Sequence, residues 1–280
     1  MAFAWMSGEP IHLMLSDMDG TLLKPDHSIS QPVRGAVEAL RAAGGHFTLA
    51  SSRPPRAMRG QVQALGVTDV PTAAFNGGTL VNPDGSYLLQ HFIEPAAARR
   101  ALALFGEHPV SVWLFADDQW LVTELAADYL EKEHTTLGYG PAQVPSFEPY
   151  LGRADKIVAT SADFALLERL EAQAQQVLRG QALAARSQAY YLDVTALAAN
   201  KGDALASLAE HLGIALANTA AIGDGPNDVA MFRRAGLSIA MGQATDAVKA
   251  QANEVTASNV EDGVAEAINR FVLPRLGQQS

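Results

Sequence analysis

Two stretches of this chain share one grammar: an apolar run of strand length that stops at carboxylates. In "LMLSDMDGTLL" (13–23) Asp17 and Asp19 close the run, and in "AAIGDGPNDVAMF" (220–232) Asp224 and Asp228 lie in a Gly-rich turn that opens a helical pattern. A strand that enters an apolar core and ends in acids needs solvent or a cation there, because an uncompensated buried carboxylate is costly. Taken alone, the first pair also reads as a solvated turn, and the second as a capped helix start. A calcium loop counted from Asp17 needs Gly at its sixth position and Glu at its twelfth; Leu22 and Ser28 stand there, so that reading fails. Parallel strands would bring both acidic turns to one edge of a sheet, where four carboxylates would repel one another without a cation. Oxygen ligands at that density favour Mg2+, which bridges carboxylates and substrate phosphate.

The surrounding pattern supports parallel strands. Strand-like runs at Ile11–Ser16, Phe47–Ala50 and Thr72–Phe75 alternate with helical patterns over Gln31–Ala43 and Arg56–Leu65. Such alternation predicts a parallel α/β sheet, with chemistry at the carboxyl ends of its strands. From Asn82 the order changes. A helix over Pro95–Phe105 precedes a hairpin turning at Asp117-Asp118-Gln119, then a helix over Leu125–His134 and a Pro- and Gly-rich stretch. A strand (Lys156–Thr160), a helix (Phe164–Leu178) and a strand pair (Leu183–Asp193) complete this α+β insertion. After Asn200 the α/β rhythm returns: Leu205, Leu208 and Leu212 mark a helical face, followed by "NTAAIG", "DVAMFRRAG" and "LSIAMG". The fold class read from this is α/β, a Rossmann-like parallel-sheet core over 1–82 and 191–280 interrupted by an α+β domain over 83–190.

Composition narrows the function. With 280 residues, 48% of them hydrophobic, the chain has enough apolar material for one large or two moderate soluble domains. A net charge of -10 argues against nucleic acid or an anionic membrane as partner, since both need clustered Lys and Arg. Without Cys there is no disulfide, thiolate zinc site or thiol nucleophile, which is compatible with a cytoplasmic location. The seven His residues form no H-x-H or H-E-x-x-H pair. "MAFAWMSGEP" has no signal-peptide pattern, and Met6 as an alternative start puts the first five residues in question. No apolar run reaches the roughly 18–20 residues of a membrane span.

In order and spacing, "DMDGTLL", "LASSRP", "NKGDALASLAEHLGI" and "IGDGPNDVAMF" resemble the four motifs of the haloacid dehalogenase-like hydrolases. With "FNGGTL", "AGLSIAMGQATDAVKAQA" and "VTASNVEDGVAEAI", the resemblance is closest to the Cof-type sugar phosphatases, which carry an αβ cap between the second and third motifs. It implies that Asp17 is the nucleophile, forming an aspartyl-phosphate, and that Asp19 protonates the leaving oxygen and then takes a proton from water. An acid at position 19 also argues against dehalogenation. Ser51 and Ser52 in the second motif, Lys201 in the third and Asn227 in the fourth would bind the phosphoryl group. Asp17, Asp19, Asp224 and Asp228 would hold Mg2+, with Asp228 orienting the metal shell or Lys201. A capping Ser, a solvated Lys and a plain turn Asn76 are the ordinary readings of such residues singly. Lys201 at a helix start, the end with a positive dipole, makes sense if an anion sits opposite.

Three departures from the family pattern stand out: Ser52 replaces a common Gly, Pro226 a common Glu, and Gln243 a common Asn. The inserted segment would be a cap that excludes bulk water and contacts the leaving group. Trp113, Trp120, Tyr190 and Tyr191 are candidates for sugar stacking, with ordinary core packing the favoured reading. The function implied is Mg2+-dependent hydrolysis of small phosphorylated metabolites, sugar phosphates foremost, by a monomer or homodimer. A phosphotransferase or mutase using the same aspartyl-phosphate is the alternative. A phospho-accepting receiver domain is opposed by the motif order.

Overall fold

The computed structural model describes residues 9–276, so the questioned first five residues lie outside it. The chain opens with β1 (Leu13–Asp17), α1 (Gln31–Ala42), β2 (His46–Ala50) and α2 (Pro55–Ala64). Three short strands follow, β3 (Thr72–Ala74), β4 (Thr79–Val81) and β5 (Tyr87–Gln90). Next come α3 (Pro95–Gly106), β6 (Ser111–Ala116), β7 (Gln119–Val122), α4 (Leu130–Leu137) and β8 (Ala142–Gln143). The middle of the chain closes with β9 (Ala154–Thr160), α5 (Phe164–Val177), β10 (Ala182–Gln188) and β11 (Tyr191–Ala196). The last part holds α6 (Lys201–His211), β12 (Thr219–Gly223), α7 (Val229–Phe232), β13 (Leu237–Ala240) and β14 (Glu254–Val255).

These elements form two compact units. The first runs to Ser51, continues over Arg59–Leu88 and resumes at Asn200; the second takes Ser52–Met58 and Leu89–Ala199. The first is built on an eight-stranded sheet of order β14-β13-β12-β1-β2-β3-β4-β5. Its strands from β14 to β3 run parallel, and β4 turns antiparallel on β3. β1 is buried at all five positions, as a strand paired on both sides within an α/β sheet should be. Its register, Leu13 against both Thr219 and His46, brings the ends of β12, β1 and β2 level with one another. The helices form where their termini are satisfied: Ser30 caps α1 by accepting from the Val33 N–H, and Val33, Ala36, Val37 and Leu40 are its buried face.

The second unit is an antiparallel sheet of order β10-β11-β9-β6-β7-β8, in which only the β7–β8 pair runs parallel. The predicted hairpin at Asp117-Asp118 is present. Both residues have positive φ, as a two-residue turn that matches strand twist requires, and Phe115 pairs with Trp120. α3 and α5 bury Ala101, Phe105, Leu167 and Leu170 with Leu114, Leu121, Ile157 and Leu192 of the sheet. Trp113 and Trp120 are almost wholly buried with their rings edge to face, which is core packing, as favoured from the sequence.

Three predicted boundaries move. The domain crossing expected at 82/83 falls after Leu88, because β5 extends the first sheet. The helix expected over Leu125–His134 begins only at Leu130, because Tyr129 takes a φ of 64° and stacks on Tyr190 at 4.5 Å between ring centroids. The expected domain crossing at 190/191 would cut the β10–β11 hairpin, where Gln188 pairs with Tyr191. β11 stays in the second sheet, and the chain returns to the first unit at Asn200.

Candidate active site

Parallel pairing decides what meets at the carboxyl edge of the first sheet. Asp17 ends β1, Ser51 follows β2, whose Ala50 pairs with Asp17, and Asp224 follows β12. Lys201 is the first residue of α6. Asn200 caps that helix with its side-chain oxygen on the Asp203 N–H, at 2.8 Å, and Gly202 lets the helix lie against α7. A Cβ on Gly202 would stand 2.5 Å from the Ala230 carbonyl oxygen. Lys201 has no exposed surface, and its Nζ donates to Asp17 Oδ1 at 2.5 Å and Asp228 Oδ1 at 2.6 Å. Asp228 uses its other oxygen to accept from the N–H groups of Asp224 and Gly225, at 2.9 and 2.8 Å. It thereby folds its own turn and points a carboxylate at Lys201 at once.

Asp17, Asp224 and Asp228 each place one carboxylate oxygen within 4.8 Å of the others, a spacing suited to a shared cation. Burial pushes the Asp17 carboxyl up to about 8 against the pull of Lys201, and the neighbouring Asp228 and Asp224 push it the same way. Asp224 is also raised, by burial first and by Asp228 and Asp19, against a hydrogen bond from Thr21. Burial pulls Lys201 down, but Asp17 and Asp228 more than offset it and hold the ammonium above the usual lysine range. The common cause is charge: three acids face one ammonium, and the surplus is negative.

Of the four acids predicted to bind metal, the structure brings together three. Asp19 is not among them. Its turn carries the side chain outward, 40% exposed, with its Oδ1 3.7 Å from His27 Nδ1. Ser51 is buried at the end of β2, with its carbonyl accepting from the Asn76 N–H at 2.7 Å. Asn227 donates to Asn76 Oδ1 at 3.0 Å, and Asn76 itself has a φ of 57°, a turn position. Ser52 falls in the second unit, where its carbonyl accepts from Lys156 at 3.4 Å.

Two residues of this site escape sequence reasoning. Thr21 donates from Oγ1 to Asp224 Oδ1 at 3.0 Å, and Gly20, with a φ of 82°, lies so close that a Cβ would meet Asp224 Oδ2 at 2.5 Å. A Thr and a Gly after two acids read as turn chemistry until a distant turn is known to lie against them. Their place inside "DMDGTLL" is the one available signal.

The sequence model of a family described as haloacid dehalogenase-like hydrolase matches residues 14–268. The chain is 27% identical to the 5-amino-6-(5-phospho-D-ribitylamino)uracil phosphatase of Bacillus subtilis, over 94% of this chain and 96% of that one. It is 30% identical to an HMP-PP phosphatase of Cronobacter sakazakii, over 81% and 83%. Among solved structures, a sugar phosphatase of haloacid dehalogenase subclass IIB superposes with a TM-score of 0.82 at 25% identity, over 93% of this chain and 98% of that one.

Proposed function

The chain belongs to the haloacid dehalogenase-like hydrolase family and is a phosphoric monoester hydrolase, and from that premise we propose a Mg2+-dependent phosphatase of small phosphorylated metabolites, sugar phosphates foremost, acting through an aspartyl-phosphate on Asp17. The observation that carries this reading is the packing of Asp17, Asp224 and Asp228 around Lys201 at the carboxyl edge of a parallel sheet. The names of the similar proteins support the substrate class, since each printed activity removes phosphate from a small organic compound.

The residues fit a divalent cation. Three carboxylates offer hard oxygen ligands, and a single ammonium leaves them a negative surplus. Asp17, Asp224 and Asp228 would hold it; bound there, Mg2+ supplies the positive charge that lets an anionic phosphoryl group approach these acids. Lys201 fixes the rotation of the Asp17 carboxylate and adds charge beside the phosphoryl oxygens. Asp17 attacks phosphorus; the new O–P bond forms as the bond to the leaving oxygen breaks, and Asp19 gives that oxygen its proton. Ser51 and Asn227 hold phosphoryl oxygens. In the second displacement Asp19 takes a proton from water, the water oxygen attacks phosphorus, and phosphate leaves with Asp17 restored. Exposure suits Asp19 to this, because an acid that cycles between charge states needs access to water. The second unit is read as the cap that selects the leaving group.

The test is phosphate release from a panel of phosphorylated metabolites with Mg2+. Asp17→Asn should lower kcat by on the order of a thousandfold or more, as removal of a nucleophile does. Equal activity in the two proteins would take Asp17 out of the mechanism.

A further inference from the structure

Asp19 must deliver a proton from one position and collect one from nearly the same place, within about 2.6–3.2 Å of the reacting oxygen. Yet it sits at the surface, on the turn Met18–Leu23. That turn closes on itself through the Met18 carbonyl, which accepts from the N–H groups of Thr21 at 3.3 Å and Leu23 at 2.9 Å. The Gly20 and Leu23 carbonyls are bonded from outside the turn. Both are taken by amide side chains from far along the chain. Gln243 Nε2 donates to the Gly20 carbonyl, directly after Asp19, and Asn259 Nδ2 donates to the Leu23 carbonyl at 2.8 Å. The two amides are joined, since the Asn259 N–H donates to Gln243 Oε1 at 3.2 Å. Thr21, between the gripped carbonyls, is tied to Asp224. The turn is thus held at Gly20, Thr21 and Leu23, with Gln243 on the carbonyl of the residue that follows the acid.

We infer that Gln243 is a positioning residue for proton transfer, holding the Asp19 turn at the reach the leaving oxygen requires. This rests on the reading of Asp19 as the acid. An uncharged amide does the holding without adding charge beside Asp19, and its two ends are used differently, the amino group on the turn and the carbonyl on Asn259.

The test compares kcat/KM, which reports the step in which the leaving group departs, for two substrates. One is an alkyl phosphate, whose alkoxide must be protonated as it leaves. The other is a nitrophenyl phosphate, whose leaving group departs as a stable anion. Gln243→Met keeps the side-chain length and loses both hydrogen bonds; Gln243→Glu keeps the acceptor for Asn259 and turns a carboxylate on the Gly20 carbonyl. Both should lower kcat/KM for the alkyl phosphate by on the order of tenfold and for the nitrophenyl phosphate by less than about twofold. Asp19→Asn should show the same selectivity more strongly, and Gln243→Met added to it should cost nothing further. Gln243 is exposed, so thermal melting should find both variants folded. If Asp19→Asn is selective and the Gln243 variants slow both substrates alike or neither, the proposal is overturned and the acid stands. If Asp19→Asn is itself unselective, the reading of the acid fails, and the proposal with it.

Discussion

Lys201 stands at a helix start, where the backbone dipole disfavours a cation, and is fully buried besides. Asp17 and Asp228 make both conditions tolerable, but they bring Asp224 with them, and the surplus falls on Asp17. Its carboxyl, ordinarily near 3.8, is raised to about 8, so between those values the folded protein binds a proton that the unfolded chain releases. Without divalent cation, this group therefore stabilises the fold fully below about pH 3.8, and its contribution is lost as pH rises through about 8. Mg2+ bound as proposed would compete with that proton. Its stabilising effect should grow from pH 5.5 to pH 8, reaching about 5 °C or more in Tm at a hundredfold excess over Kd. A Tm increment that is flat or falling with pH would contradict this account of the charge balance. The acids themselves were legible because they interrupt apolar runs. The outward turn of Asp19 was not, since alternation of residues cannot say which member of Asp-x-Asp faces the sheet edge.

At the scale of elements, the site depends on α6 lying close to α7. Gly202 permits this, and Gly202→Ala would drive a methyl into the Ala230 carbonyl and lift the first turn of the helix, Lys201 included. The expected result is a stability loss of about 1–3 kcal/mol together with a fall in kcat of up to about a hundredfold, measured on the fraction that remains folded. Gly35→Ala in α1, where an added methyl meets nothing within 4 Å, should leave kcat unchanged and stabilise the protein by up to about 1 kcal/mol. Loss of activity in both variants would make the effect one of helix composition and not of Lys201 placement. Most elements could be read directly, because period and punctuation agree in them, as in the hairpin that turns at Asp117-Asp118. The start of α4 could not. A helical pattern across Leu125–His134 is overruled by the stacking of Tyr129 on Tyr190, a long-range contact no local pattern contains. The placement of Gln243 on the Gly20 carbonyl is hidden for the same reason.

Across the whole molecule, two sheets with separate apolar interiors predict two thermal transitions. Leu170→Ala empties a buried position of the second unit and should cost about 2–5 kcal/mol there, seen in calorimetry as a lowered transition that Mg2+ does not raise. Mg2+ should move only the other one; a single transition shifted by both would mean the units unfold together. Topology also has a bearing on how such a chain is made. β1 is an inner strand, yet its partner β12 begins only at Thr219, after the whole of Leu89–Ala199. On the ribosome, where residues emerge from the amino end, the strand that carries Asp17 spends most of synthesis with one flank of its backbone unpaired. Assembly of the site is therefore deferred until the last quarter of the polypeptide arrives, and a nascent chain halted at Ala199 carries Asp17 but neither Lys201 nor Asp224 to meet it.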